Sequence, residues 1–154
     1  MNVARTIQTH LVLPPDTNHH GSIFGGKVLA YIDEIAGIAS MKHAHGNTVT
    51  ASIDSVDFIS PAYAGDVIEL EAVVASTGRT SMEIYVRVQA TNLLTGTTCL
   101  TTESFVTMVA IDEDGRPRAV APVYPETEAD ERLFRTAPGR REHRFAKRAL
   151  QSHK

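Results

Sequence analysis

The chain has 154 residues, 42% of them apolar and 21% charged, and a formal net charge of −3 at pH 7. That fits one globular domain with a real core, and the negative balance argues against a general nucleic-acid binder. No apolar run approaches the roughly 18 residues of a membrane span, Met1 to Leu13 lacks the apolar segment of a signal peptide, and the lone Cys99 excludes an internal disulfide and suggests a reducing, cytoplasmic setting.

Residues from about Thr6 to Leu13 read as a strand, with Ile7, Leu11 and Leu13 apolar. Pro14, Pro15, Asp16, Asn18 and Gly21 then make a turn. From about Gly25 to about His43 a helix is predicted, because Phe24, Val28, Ile32, Ile35 and Ala39 recur at helical spacing as one buried stripe. Leu29, Asp33, Ala36, Gly37 and Ser40 form a second face, small and mostly apolar apart from the acid. A carboxylate there needs a partner, a ligand or water, since bare burial would neutralise it. Gly25 and Gly26 at the helix start leave backbone N–H groups free and approachable. Gly46 and Asn47 stop the helix, with His43 and His45 near its end.

From Thr48 the apolar period changes to two. Val49, Ala51 and Ile53 share one parity and Val56 and Phe58 the other, so a bulge is expected at Asp54-Ser55. Pro61 closes this strand and Ala64-Gly65-Asp66 turns. A strand from Val67 to Ala75, facing its core with Ile68, Leu70, Ala72 and Val74, should form a hairpin with Ser81 to Thr91 around Gly78. Asn92 to Gly96 is a second turn, and Thr97 to Asp112 a long strand in which Cys99 reads as a buried structural thiol. Residues 126–154 differ in composition, with five Lys or Arg between Gly139 and Arg148 against Glu142. They read as a peripheral tail, helical (Glu126 to Phe134) or disordered, after a domain of residues 1–125. The layout is α+β: an antiparallel sheet curled around one long helix. Such a sheet keeps open edges, which favours pairing into a dimer.

The series Asn18-x-x-Gly21-x-x-Phe24-Gly25-Gly26, with Asp33 following, resembles the signature of hotdog-fold acyl-CoA thioesterases, and the cytosolic acyl-CoA hydrolase group in particular. The similarity continues through Val49-Thr50, Asp57-Phe58, Pro61, Gly65-Asp66 and Gly115-x-Pro117-Arg118, covering roughly residues 7 to 122. It implies a helix wrapped by a curled sheet, a dimer assembled further into a trimer of dimers, and hydrolysis of a fatty acyl-CoA to the free acid and CoA. It also implies that Asn18 and Asp33 face each other across the dimer interface from different subunits.

On that reading Asp33 is the base that activates water, or the direct nucleophile. Asn18 orients the water or binds the reacting oxygen, and the Gly25 or Gly26 N–H polarises the carbonyl. The bland readings are an ion-paired carboxylate for Asp33, a turn residue for Asn18 and close packing for the glycines. No metal and no cofactor is required, CoA being part of the substrate. His19-His20 and His43-x-His45 lack catalytic zinc spacing and read as surface histidines. Ser22 and Ser104 lack an elbow motif, and Gly25-Gly26-Lys27 lacks P-loop spacing. Arg79 with Thr80 and Ser81, then Arg116 and Arg118, are the candidates for the CoA phosphates, against the commoner fate of solvated surface charge. Ala36, Gly37 and Ser40 would leave room for an acyl chain beside Asp33. The rival readings are a non-catalytic acyl-CoA-binding regulatory module, which the intact Asn18 and Asp33 pair disfavours, and a hotdog dehydratase, which would want a catalytic His beside the acid.

Overall fold

Apolar side chains every third or fourth residue give α1, Gly25–Ala44, a single face to bury. In the computed structural model, which describes residues 5–152, that face lies on a five-stranded antiparallel sheet. The strands are β1 (Arg5–Leu11), β2 (Thr48–Phe58), β3 (Asp66–Thr77), β4 (Ser81–Asn92) and β5 (Thr98–Ala110), and α2 (Glu128–Ser152) follows them. Their order across the sheet is β1-β3-β4-β5-β2. The consecutive strands β1 and β2 therefore occupy opposite edges, and α1 is the connection that carries the chain across the sheet's inner face. This is the hotdog arrangement.

Alternation on the strands supplies the matching surface. Ile68, Leu70, Ala72 and Val74 of β3, Met82, Ile84, Val86 and Val88 of β4, and Val106, Met108 and Ala110 of β5 are buried with Val28, Ile32, Ile35 and Ala39 of α1 in one core. Each fully buried large side chain contributes roughly 1.5–3 kcal/mol.

Several local expectations are corrected. β2 holds two register shifts, one between Thr50 and Ser52 and one between Ile53 and Ser55, where a single bulge was expected. Ala51 and Asp54 are the extra residues, so Val49, Ala51 and Ile53 do not share a face. The left-handed residue that ends α1 is His45, φ 54°, and not Gly46. Gly46 leaves room for Arg118: a Cβ there would lie 2.5 Å from Arg118 Nη2, so the guanidinium would have to shift from its place at the end of α1. His43 is buried, 3% exposed, its Nε2 lying 2.7 Å from the Ala121 carbonyl, so it is no surface histidine. Cys99 is exposed, because the start of β5 extends beyond the core.

The chain from Glu128 to Ser152 is one helix that continues through Pro138. It is fastened to the outer face of the sheet. Arg140 Nε and Nη2 each donate to a carboxylate oxygen of Glu83 at 2.7 Å, and Arg144 Nη1 donates at 2.8 Å. Glu83 is 3% exposed, and an unpaired carboxylate so placed would be costly. Near the other end of α2, Asp130 accepts from Arg5 of β1 at 2.7 Å. No helix among the described residues is long and apolar enough to cross a membrane.

Candidate active site

Asn18 lies in the turn before α1. Its Oδ1 accepts from the His20 N–H (2.9 Å) and from Ser22 Oγ (3.2 Å), and its own N–H donates to the Ser22 carbonyl at 2.8 Å. These bonds fix the side chain and leave Nδ2 without an acceptor among the described residues. At the helix start the Phe24 N–H donates to the Asp16 carbonyl, and Lys27 and Val28 donate to the Phe24 carbonyl. The Gly25 and Gly26 N–H groups have no acceptor among the described residues and point out of the positive end of the helix. Gly26 lets the Phe24 ring fold over the helix start: a Cβ would lie 2.9 Å from that ring and push it aside.

Beside these donors opens an apolar cleft of about 340 Å³. Gly25, Val28 and Phe58 line it, and Ile68, Val88 and Thr102 lie deeper, each at most 2% exposed. A larger hollow of about 430 Å³ lies between α2 and β2. Its lining includes Glu83, Arg140 and Arg144, which fasten α2, and it contains none of Asn18, Gly25 and Asp33. Of the three, Gly25 alone lines the smaller cleft, which is therefore where an apolar chain can lie against the helix start.

Asp33 sits on α1 beside β2, exposed in the single subunit. Its Oδ1 accepts from Thr50 Oγ1 at 2.7 Å, and Oδ2 has no donor among the described residues. Thr50 was not among the sequence candidates. A threonine in a strand carries no signal of its own, and only the Val49-Thr50 pair within the resemblance hinted at it. The chamber expected from Ala36, Gly37 and Ser40 is not formed by all three. Ala36 and Ser40 are fully buried, and Ser40 Oγ bonds the Gly37 carbonyl and Thr48 Oγ1. Gly37 alone has open space beside it.

Asn18 and the Gly25 and Gly26 donors stand together at one end of α1, and Asp33 with Thr50 stands apart. From Gly25 to Asp33 the helix climbs about 12 Å. The arginines stand apart as well. Arg79, exposed in the β3–β4 turn, accepts at its carbonyl from the Val120 N–H (2.9 Å), and Thr80 does so from Ala110 (3.0 Å). Ser81 opens β4 just after them. The Arg118 N–H donates to the Ala110 carbonyl, and its Nη2 donates to the Ala44 carbonyl at 2.7 Å, capping the end of α1. Arg116 lies on the adjacent turn, its N–H on Asp112 Oδ1 and its side chain exposed. This basic group therefore surrounds the C-terminal end of α1, about 30 Å from Gly25 along a helix of this length.

Residues 20–96 match the family model of the thioesterase superfamily. An uncharacterised acyl-CoA thioester hydrolase of Bacillus subtilis (strain 168) is 45% identical over 87% of this chain and 78% of its own length. A solved apo-hexameric acyl-CoA thioesterase is 65% identical over 96% of this chain and 94% of that one, with a TM-score of 0.94. The acyl-CoA hydrolase of Staphylococcus aureus, solved with butyryl-CoA, CoA and CoA disulfide, is 41% identical over 97% and 92%, with a TM-score of 0.93. That enzyme has also been solved with an asparagine, an aspartate fifteen positions later or a threonine seventeen further on replaced by alanine, the same spacing as Asn18, Asp33 and Thr50. The chain belongs to the thioesterase superfamily, as a hotdog-fold acyl-CoA thioester hydrolase.

Proposed function

We propose that fatty acyl-CoA is hydrolysed in a site shared by two copies of this chain. One copy supplies Asn18 and the Gly25 or Gly26 N–H, and the other supplies Asp33 with Thr50. The observation that carries this is the separation along α1. A carbonyl oxygen held at Gly25 is about two helical turns from the Asp33 of the same copy, beyond hydrogen-bond reach. Two copies related by a twofold axis, with their α1 helices antiparallel, bring each donor set to the other copy's acid.

In this site the acyl chain enters the cleft beside Gly25 and Val28. Asn18 Nδ2 and the glycine N–H take the carbonyl oxygen. Asp33, held on Oδ1 by Thr50, uses Oδ2 to remove a proton from water. The water oxygen attacks the thioester carbon, the tetrahedral oxyanion settles on the N–H donors, and the C–S bond breaks. One such donor is worth ~3–4 kcal/mol in other enzymes. The CoA thiolate is a good leaving group, so no cofactor or metal is called upon. The CoA phosphates lie along Arg79, Thr80 and Ser81 with Arg116. Arg118 shapes the same corner by capping α1.

The open edges β1 and β2 support self-association, and β2 presents Val49, Ile53 and Phe58 as exposed apolar side chains. We assign the dimer as the unit of the site and a trimer of dimers as the assembly, in keeping with the hexamer of the similar thioesterase. A cytoplasmic setting suits a chain whose single thiol stays exposed.

Subunit mixing tests the shared site. Asn18→Ala and Asp33→Asn chains, each nearly inactive alone, are exchanged. About half of randomly paired dimers are mixed, and each then has one intact site and one doubly damaged site. Activity should recover to roughly a quarter of wild type. Verified exchange without recovery would place Asn18 and Asp33 in one chain.

A further inference from the structure

The pairing of β2 with β5 places Thr48, Thr50, Ile53, Val56 and Phe58 opposite Ala110, Met108, Val106, Ser104 and Thr102. Val106, Met108 and Ala110 are core residues packed with α1, so this set of β2 positions faces α1. The face is kept only because the strand slips twice, at Ala51 and at Asp54. Side chains alternate strictly in an unbroken strand, and one extra residue inverts every position beyond it. With Ile53 fixed opposite Val106, an unbroken strand would turn positions 51 and 49 toward α1 and Thr50 away. The contact between Thr50 and Asp33 therefore exists because of the bulge at Ala51.

A bulge is a local cost unless something stabilises it, since the extra residue leaves the ladder unpaired. Here one carboxylate spans the irregular stretch. Asp54 Oδ1 accepts from Ser52 Oγ at 2.6 Å, and Asp54 Oδ2 accepts from Thr107 Oγ1 at 2.5 Å. Ser52 is the first paired residue after the Ala51 bulge, and Thr107, 5% exposed, is its partner on β5. Asp54 is itself the second extra residue. It thus ties both slips and the neighbouring strand through one side chain.

We infer that Asp54 is a positioning residue for the reaction: by fixing the double bulge it aims Thr50 at Asp33. This rests on the role given to Asp33 and Thr50 above. Asp54 touches neither substrate nor the reacting atoms, and its effect should travel through Thr50.

Kinetics of the oligomer test this with Asp54→Ala, Thr50→Ala and their double variant. Asp54→Ala removes both acceptors, whereas Asn could keep both contacts by accepting from one hydroxyl and donating to the other. Asp54→Ala should lower kcat about tenfold or more and move KM less than about twofold, because a misaimed base weakens transition-state interactions only. In the Thr50→Ala background the same change should cost less than about twofold further, the non-additivity expected of residues acting through one contact. Thr107→Val, close to isosteric and lacking one donor, should behave alike, which covers a poorly folded Asp54 variant. Losses that multiply in the double variants, an Asp54→Ala enzyme at wild-type kcat, or KM rising as much as kcat falls would each overturn the positioning role while leaving Asp33 and Thr50 in place. A Thr50→Ala enzyme at full kcat would instead overturn the role of Thr50, and this inference with it.

Discussion

Thr50 and Asp33 come from different elements and meet at 2.7 Å, Thr50 Oγ1 donating to Asp33 Oδ1. The bond occupies one carboxylate oxygen and fixes the plane of the group, so the other oxygen is presented in one direction. Asp33→Asn should lower kcat at least 10²-fold, the range for loss of a general base, with the oligomer and its circular dichroism unchanged. Thr50→Ala should lower kcat by about tenfold to a hundredfold with KM for acyl-CoA little altered, since it disturbs aim and not binding. An Asp33→Asn enzyme within about threefold of wild type would remove the acid from the mechanism.

The path of the oxygen separates a base from a nucleophile. In a single turnover with the enzyme in excess in ¹⁸O-water, a base delivers labelled oxygen to the fatty acid in that first turnover. A carboxylate that attacks directly forms an anhydride. When water opens that anhydride at the Asp33 carbonyl, the first acid released carries an unlabelled oxygen from Asp33 and the label stays on the protein. Opening at the acyl carbonyl labels the acid, so rapid-quench trapping of the acyl-enzyme with hydroxylamine is the companion measurement. Mass spectrometry of the product should show the label in the acid.

Arg79 should matter for substrate capture. Its guanidinium is exposed and has no partner among the described residues, whereas that of Arg118 is bonded to Ala44 and Ile111. Arg79→Ala should raise KM for acyl-CoA more than it lowers kcat, because a phosphate contact is made equally in the ground and transition states. Acyl-pantetheine, which lacks the nucleotide, should show little change. Equal losses on both substrates would place Arg79 outside the CoA site.

Glu83 should matter for stability. Glu83→Ala leaves Arg140 and Arg144, with side chains 21% and 13% exposed, without the carboxylate they share. Removing one partner of a buried pair costs about 3–5 kcal/mol. Urea denaturation should show a loss of that size, and proteolysis should reach α2 before the sheet. A loss below about 1 kcal/mol, the value of an exposed pair, would mean that α2 is held by other contacts.

What could be read in advance follows from how local each signal is. The long helix and the β3–β4 hairpin were legible because Val28, Ile32, Ile35 and Ala39, or Ile68, Leu70, Ala72 and Val74, state their period within a few residues. Asn18, Gly25, Gly26 and Asp33 were legible as one spaced series. Positions whose meaning depends on distant residues were not. Asp54 signals a bulge by its phase slip, but the slip at Ala51 is hidden, because an alanine there suits either face. His43 looks like a polar surface residue until the Ala121 carbonyl is brought against it. Arg118 reads as a free cation until the end of α1 arrives beside it. The basic run in the tail gave no hint that two of its arginines answer a glutamate on β4.

The exposure of Cys99 has a consequence for measurement. The chain has one thiol, it is open to solvent, and Ser60 Oγ, on the rim of the apolar cleft, lies 3.6 Å from its sulfur. A chromogenic disulfide that counts released CoA will also titrate this cysteine, one equivalent per chain. The background will depend on enzyme concentration and on whether the cleft is occupied, and following the thioester absorbance avoids it. The same feature gives a labelling handle that needs no other cysteine removed: a fluorophore on Cys99 stands next to the acyl cleft and can report its filling during turnover.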